Sequence, residues 1–228
     1  MQLEYEGKTI DVYPCSIADA STIVLLSYEP EGETIIRDLA PLGKRFNLIE
    51  ITGLRWEDEL TPWKHPAIMK GGPSFGGNAF AFFRELEYVV LPRALQEASL
   101  KPKSIAIAGY SLAGMAALYA CSRAKAFDAA LSVSGSLWFD GFAEFIAEAG
   151  VNKGLRYVYL SLGKKEPISK NSLLATVGEK TEQLRDYYLS QGIKTDFVWN
   201  EGGHFDNETR RIEDAICAYL DFIAQDKN

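Results

Sequence analysis

Residues 104–121 form the segment that most constrains how this chain can fold. Residues 104–108 are apolar enough for a buried strand, and residues 115–121 have the composition of a helix. Between them lies Gly-Tyr-Ser-Leu-Ala-Gly, in which small residues surround Ser111. A serine on a tight strand-to-helix turn is the layout of a nucleophile elbow, which lifts the hydroxyl out of the top of a sheet. The turn also places the next backbone N–H at a helix start, where developing negative charge is stabilised.

Short apolar runs alternate with amphipathic segments along the rest of the chain. After a hairpin over residues 3–13, we expect strands at 21–27, 46–51, 104–108, 129–134, 157–162 and 195–199. Helices are expected at 34–42, 79–98, 115–121, 142–149, 172–190 and 207–224. The alternation predicts an α/β fold with a mostly parallel central sheet and helices on both faces.

Three segments of this pattern lead to further expectations. Pro92 should kink the helix at 79–98. In this helix Phe80 and Phe83 should lie along the one apolar face, which is expected to point inward. Residues 52–78 should be irregular, and their glycine-rich part should form a flap beside the active site. Because no linker, repeat or low-complexity segment is visible, residues 1–228 are expected to form a single domain.

The composition excludes several classes of partner. With 31 acidic and 24 basic residues the net charge is −7, so we expect no nucleic-acid partner and no anionic membrane surface. No apolar run is long enough to span a bilayer, and no signal peptide is visible.

Three widely spaced cysteines predict reduced thiols and a cytoplasmic protein. No zinc-type spacing is present, so we expect neither a metal nor a cofactor, and homo-oligomerisation stays open.

Three chemically competent side chains should meet at one edge of the sheet. Ligands of such sheets gather at the carboxyl ends of the strands. Ser111 lies there, Glu166 follows the strand at 157–162, and His204 follows the strand at 195–199. The order serine, acid, histidine is the one expected of an α/β-hydrolase. In such a triad the imidazole takes the serine proton, and the carboxylate orients the imidazole and balances its charge.

The identity of the acid is open at this stage. Glu166 stands beside Lys164 and Lys165 and can equally be a solvated charge. Asp206 is a second candidate, although it can cap the last helix, and Asp196 is a third. A serine–histidine dyad without a third member is also open.

The chain resembles the α/β-hydrolase superfamily, and within it the esterase D and enterochelin-esterase-like group, over nearly its whole length. Residues 109–114 are similar to that group's Gly-x-Ser-x-Gly-Gly elbow, with Ala113 in place of the second glycine. Residues 132–138 (Ser-Val-Ser-Gly-Ser-Leu-Trp) resemble its Ser-x-Ser-x-x-x-Trp strand end. Residues 163–166 resemble its Gly-x-x-Glu acid loop, and Gly-His at 203–204 matches its terminal histidine.

The resemblance implies serine ester hydrolysis, with Ser111 as nucleophile, His204 as base and Glu166 as acid. Members of the group hydrolyse siderophore lactones and short acyl esters, so no substrate is implied. The chain is short and shows no lid or added binding domain, which disfavours a bulky siderophore.

The predicted mechanism is cleavage of a small-molecule carboxylic ester through an acyl-enzyme. The backbone N–H groups of Leu112 and Tyr28 are the expected oxyanion donors. Trp138 and Tyr110 are expected to line the substrate pocket. Two alternatives remain. One is an acyltransferase or thioesterase that uses the same serine, and the other is an inactive binding module with this fold. A dinucleotide oxidoreductase is disfavoured because Gly-x-Gly-x-x-Gly does not follow the first buried strand.

Overall fold

The computed structural model describes residues 1–17 and 19–225, and eight strands of these residues form one sheet. In chain order the strands are β1 (Gln2–Tyr5), β2 (Lys8–Tyr13), β3 (Thr22–Leu26), β4 (Asn47–Thr52), β5 (Lys64–His65), β6 (Phe75–Gly76), β7 (Ile105–Tyr110), β8 (Ala129–Val133), β9 (Tyr157–Gly163) and β10 (Lys194–Asn200). The large sheet has the order β1-β2-β4-β3-β7-β8-β9-β10, and β5 and β6 pair separately. Pairs β1–β2 and β2–β4 are antiparallel, whereas all pairs from β4 to β10 are parallel. The mostly parallel sheet predicted from the sequence is therefore confirmed.

Helices cover both faces of this sheet. They are α1 (Gly32–Leu39), α2 (Trp56–Glu59), α3 (Ala79–Glu85), α4 (Leu91–Glu97), α5 (Leu112–Arg123), α6 (Phe142–Ala149), α7 (Val177–Ser190) and α8 (Glu208–Gln225). Buried side chains of α1 and α8 pack on one face, and those of α3 to α7 pack on the other. Within residues 1–17 and 19–225, no helix has both the length and the apolar character needed to cross a membrane.

The predicted helix over 79–98 is interrupted rather than simply kinked. A π-helical turn at Leu86–Val90 separates α3 from α4. Pro92 lacks an N–H and its ring crowds the carbonyl one turn back, which favours a wider turn just before it. The inward face also differs, because Phe82 and Phe83 are buried whereas Phe80 is 55% exposed, so the expectation for Phe80 was wrong.

The segment at 52–78 is less irregular than predicted. It contains α2 and the small ribbon of β5 and β6. Phe75 in this ribbon is buried against Phe139, with ring centroids 5.3 Å apart, which fixes the segment to the body of the fold. Since the parallel strands all end at one edge, the loops after β3, β7, β8, β9 and β10 meet there.

Candidate active site

The backbone at Ser111 is strained, as a nucleophile elbow requires. Ser111 has φ +59° and ψ −121°, a conformation that residues with a side chain rarely adopt. Hydrogen bonds hold it on both sides: its N–H donates to the Val133 carbonyl at 3.1 Å, and the Ser136 N–H donates to its carbonyl at 2.9 Å. The strained turn is therefore fixed by β8 and by the loop that follows β8.

Ala113 fits this elbow because position 109 is a glycine. A Cβ placed on Gly109 would lie 2.5 Å from the Cβ of Ala113, much closer than two carbon atoms can approach. Ala113 itself is fully buried where α5 crosses β7. The same Cβ would lie 2.6 Å and 2.7 Å from the backbone carbon and oxygen of Ala113, so the crossing itself requires a glycine at 109, and Ala113 fits beside that glycine.

The structure brings Ser111, His204 and Glu166 into one hydrogen-bonded chain. The Oγ of Ser111 lies 2.9 Å from Nε2 of His204, and Nδ1 of His204 lies 2.7 Å from Oε2 of Glu166. An ionised carboxylate only accepts, so Nδ1 carries the proton and Nε2 is free to accept from the serine hydroxyl. The sequence did not single out Ser136, whose hydroxyl oxygen lies 3.3 Å from that of Ser111.

Glu166 is held in its charged form despite being buried. Its side chain is 5% exposed, and burial alone would raise its pKa. Hydrogen bonds from the His204 ring and the Gly163 N–H outweigh burial, so the pKa of Glu166 lies below its ordinary value. The Gly163 N–H is 2.6 Å from Oε1 and leaves Oε2 for the imidazole.

The other two carboxylates have different partners. Asp206 accepts from the N–H of Gly203 at 2.7 Å, within the same loop as His204. Asp196 accepts from the Tyr157 hydroxyl and from Lys194, each at 2.7 Å. Of the three candidate acids, the one hydrogen-bonded to the His204 ring is Glu166.

Sequence reasoning missed Arg211, a buried cation beneath the site. Arg211 lies on α8 and is 3% exposed. Its guanidinium lies within hydrogen-bonding distance of five oxygens: Tyr110 Oη (3.1 Å), Ser134 Oγ (2.9 Å), Glu166 Oε1 (3.3 Å) and the carbonyls of Glu201 (2.9 Å) and Gly203 (2.9 Å). The Tyr110 hydroxyl in turn donates to the carbonyl of His204. One side chain thus connects the end of β7, the acid loop and the histidine loop.

A signal for Arg211 exists in the sequence. It precedes Ile212 and lies four residues before Ala215, both of which are fully buried on α8. A charged residue beside the apolar stripe of an amphipathic helix must find buried partners. A charged residue next to these buried positions of α8 is therefore the sequence signal that predicts a buried Arg211.

Two cavities open on Ser111. The first, which we call the apolar arm, has a volume of about 490 Å³ and is lined mainly by Trp56, Ile68, Met69, Pro73, Phe75, Trp138, Leu174, Val177 and Phe205. The second, which we call the acidic arm, has a volume of about 540 Å³ and is lined by Ser27, Tyr28, Glu29, Glu31, Tyr110, Glu208 and Thr209. Ser111, His204, Trp56 and Phe205 line both arms.

The remaining predicted residues divide between these arms. Trp138 and Leu112 line the apolar arm, and Tyr28 and Tyr110 line the acidic arm. Leu112 is the first residue of α5, so its N–H has no partner inside the helix. The glycine-rich segment contributes Gly72 and Pro73 to the apolar arm. Within the described part of the chain, no three His, Cys, Asp or Glu side chains are placed to share a metal ion.

No family model matches the chain. It is 26% identical over 142 residues to the uncharacterized protein YbbA of Bacillus subtilis (strain 168), a match that spans 61% of this chain and 57% of that relative's length.

Solved structures resemble the whole of the chain. An IroE-like serine hydrolase from Shewanella oneidensis has a TM-score of 0.78 at 16% identity, over 97% of this chain and 79% of the other. The siderophore hydrolase EstA from Aspergillus nidulans has a TM-score of 0.72 at 17% identity, over 97% of this chain and 93% of the other. At such identities the likeness establishes the fold. The chain therefore has the α/β-hydrolase fold, in the form found in these serine and siderophore hydrolases, as its motifs predicted.

Proposed function

We propose that the protein is a serine hydrolase that cleaves a carboxylic ester of a small molecule through an acyl-enzyme intermediate. The observation that carries the proposal is the hydrogen-bonded chain from Ser111 through His204 to Glu166 at a strained elbow. The two similar structures are described as a serine hydrolase and a siderophore hydrolase, which supports ester hydrolysis as the reaction class. A siderophore substrate is not part of this proposal.

Each group of the chain has a defined task in this reaction. The Oγ of Ser111 attacks the ester carbonyl while Nε2 of His204 takes its proton. The N–H groups of Leu112 and Tyr28 are proposed to bind the oxygen that becomes negative. His204 then passes its proton to the departing alcohol, and the acyl group remains on Ser111. A water molecule, deprotonated by Nε2 of His204, then attacks the acyl carbon. The bond from that carbon to the Oγ of Ser111 breaks, His204 returns the proton to Oγ, and the acid leaves.

Glu166 contributes through the imidazole rather than by contact with the ester. Its carboxylate fixes the tautomer in which Nε2 can accept, and it stabilises the imidazolium that forms during attack. Because its pKa is below the ordinary value, the carboxylate stays charged throughout the range in which the imidazole can act as a base.

Hydrolysis of p-nitrophenyl acetate and butyrate tests the nucleophile. Ser111→Ala should lower kcat by about 10³-fold or more. Ser190→Ala, an exposed serine at the end of α7, is the matched control and should retain the wild-type rate. A fluorophosphonate probe should add one adduct, which peptide mass spectrometry should locate on Ser111. Equal rates for wild type and Ser111→Ala, or an adduct elsewhere, would overturn the proposal.

A second pair of variants tests the acid. Glu166→Gln should lower kcat by about 10³- to 10⁴-fold because the amide no longer stabilises the imidazolium. Asp206→Asn should cost less than about tenfold, since its carboxylate bonds a backbone N–H rather than the ring. The reverse order of the two effects would assign the acid to Asp206.

A further inference from the structure

Negative charge dominates the cavity that surrounds Ser111. Besides Glu166, four glutamates line it: Glu57 in the apolar arm, and Glu29, Glu31 and Glu208 in the acidic arm. Among the described residues that line either arm, none is a lysine or an arginine. A negatively charged group on the substrate would therefore enter a field of like charge without a cation to receive it.

Glu31 is a half-buried glutamate of the acidic arm that has other carboxylates around it. Burial raises its pKa to about 7, the nearby Thr209 side chain acts against this, and the carboxylates of Glu50, Glu208 and Glu213 act in the same direction as burial. Glu50 itself is fully buried, and its charge is held by the backbone N–H groups of Glu31 and Gly32 at the start of α1. A cation beside Glu31 would stabilise its ionised form.

The walls of the acidic arm are aromatic as well as acidic. Tyr28, Trp56 and Phe205 contribute rings, with Tyr28 and Trp56 meeting edge to face at 5.2 Å. Phe205 is 83% exposed and stands edge-on to the ring of His204, 5.0 Å away. Aromatic faces next to carboxylates are the surroundings that bind alkylammonium groups, because ring quadrupoles and carboxylates both attract a weakly hydrated cation.

A second and independent observation points to a ligand in this arm. Ser27 follows β3, lines the acidic arm and is 2% exposed. Its hydroxyl oxygen has no hydrogen-bond partner among the described residues. A buried hydroxyl is rarely left without a partner, and a turn about the Cα–Cβ bond would bring the Ser27 hydroxyl to a polar group of a substrate in this arm.

We propose, on the basis of the serine-hydrolase function above, that the substrate is an ester with one bulky apolar group for the apolar arm and one alkylammonium group for the acidic arm. The apolar arm can hold the first group because its walls are rings and aliphatic side chains. The acidic arm selects the second by its charge and rejects a carboxylate of the same shape. Both arms meet at Ser111, so the ester bond lies between the two groups.

Esters that differ only in charge test this proposal. The alcohol-side pair is benzoylcholine and 3,3-dimethylbutyl benzoate, in which a carbon replaces the quaternary nitrogen. The acyl-side pair is the benzyl ester of 4-(trimethylammonio)butanoate and that of 5,5-dimethylhexanoate. In one of the two pairs, kcat/KM at low salt should be about tenfold higher for the cation than for its neutral isostere. Monobenzyl glutarate, a carboxylate of comparable length, should be about tenfold worse than the neutral ester.

Variants locate the origin of the preference. In Glu31→Gln/Glu208→Gln the cation-to-neutral ratio should fall to about twofold or less, because two of the three glutamates of the acidic arm are gone. Glu33→Gln removes an exposed charge of α1 that lines neither arm, and it should leave the ratio unchanged. Since each ratio is measured within one variant, a change in stability or in active fraction cancels.

The outcomes separate this proposal from the proposed function. If the neutral esters are hydrolysed by wild type but not by Ser111→Ala, and neither pair favours the cation, the serine hydrolase stands and the charge selectivity is refuted. Equal losses of the ratio in Glu33→Gln and in the double variant would also refute it, because the effect would then come from net charge. If no ester is hydrolysed in a Ser111-dependent way, the proposed function itself fails.

Discussion

Glu31→Gln should stabilise the folded protein at alkaline pH and not at acid pH. The pKa of Glu31 rises from 4.5 to about 7 on folding, chiefly because the side chain is buried. Above pH 7 the folded state must hold a charge that the unfolded chain carries more easily, so the free energy of unfolding falls as pH rises from about 4.5 to about 7. The shift corresponds to about 3 kcal/mol at 1.36 kcal/mol per pH unit. Below pH 4.5 both states are protonated, and this cost disappears.

Urea unfolding at pH 4.5 and pH 8, followed by circular dichroism, measures the effect. Relative to wild type, Glu31→Gln should be more stable by about 2–3 kcal/mol at pH 8 and nearly unchanged at pH 4.5. Glu33→Gln on the exposed side of the same helix serves as the control and should shift the two free energies by less than about 0.5 kcal/mol. A Glu31→Gln difference of the same size at both pH values would refute the reasoning.

Three further predictions concern buried groups of the fold. Arg211→Met should lower the free energy of unfolding in urea by about 3–5 kcal/mol, because it leaves Glu166 buried without its cation; a loss below about 1 kcal/mol would mean that water replaces the guanidinium. Gly109→Ala should cost about 1–3 kcal/mol, and adding Ala113→Gly should recover part of it; purely additive effects would contradict the contact. The Cys121 thiol is buried, which raises its pKa, so Ellman's reagent should reach it only after unfolding.

The strands and the meeting of Ser111, His204 and Glu166 at one edge could be predicted because both depend on local patterns. An apolar run that ends in Gly-x-Ser specifies a strand and the turn after it without reference to the rest of the chain. Once the sheet is parallel, topology alone brings Ser111, Glu166 and His204 to one edge. The distances of 2.9 and 2.7 Å that link them come from the structure.

What the sequence did not reveal depends on contacts between distant segments. The choice among three carboxylates required the side-chain geometry, since Glu166 and Asp206 both lie in loops at the same edge. The exposure of Phe80 was misjudged because the buried stripe of α3 is formed by Ala79, Phe82 and Phe83, which leaves Phe80 on the solvent side. Phe83 and Leu86 follow Phe80 at three-residue spacing and are buried, so the apolar pattern alone did not show where the buried stripe ends.

Arg211 affects how strongly the Glu166 carboxylate can stabilise a positive charge on the His204 ring in the proposed reaction. Its guanidinium is 3.3 Å from Oε1 of Glu166, so a buried positive charge competes with the imidazolium for the carboxylate. That competition is limited, because the same guanidinium also donates to the carbonyls of Glu201 and Gly203 at the shorter distance of 2.9 Å. Of the five oxygens that Arg211 contacts, two belong to the histidine loop, and one, at the longest distance, belongs to Glu166. Arg211 therefore contacts the histidine loop at more points than it contacts Glu166, and in the proposed reaction it would be a positioning residue for His204.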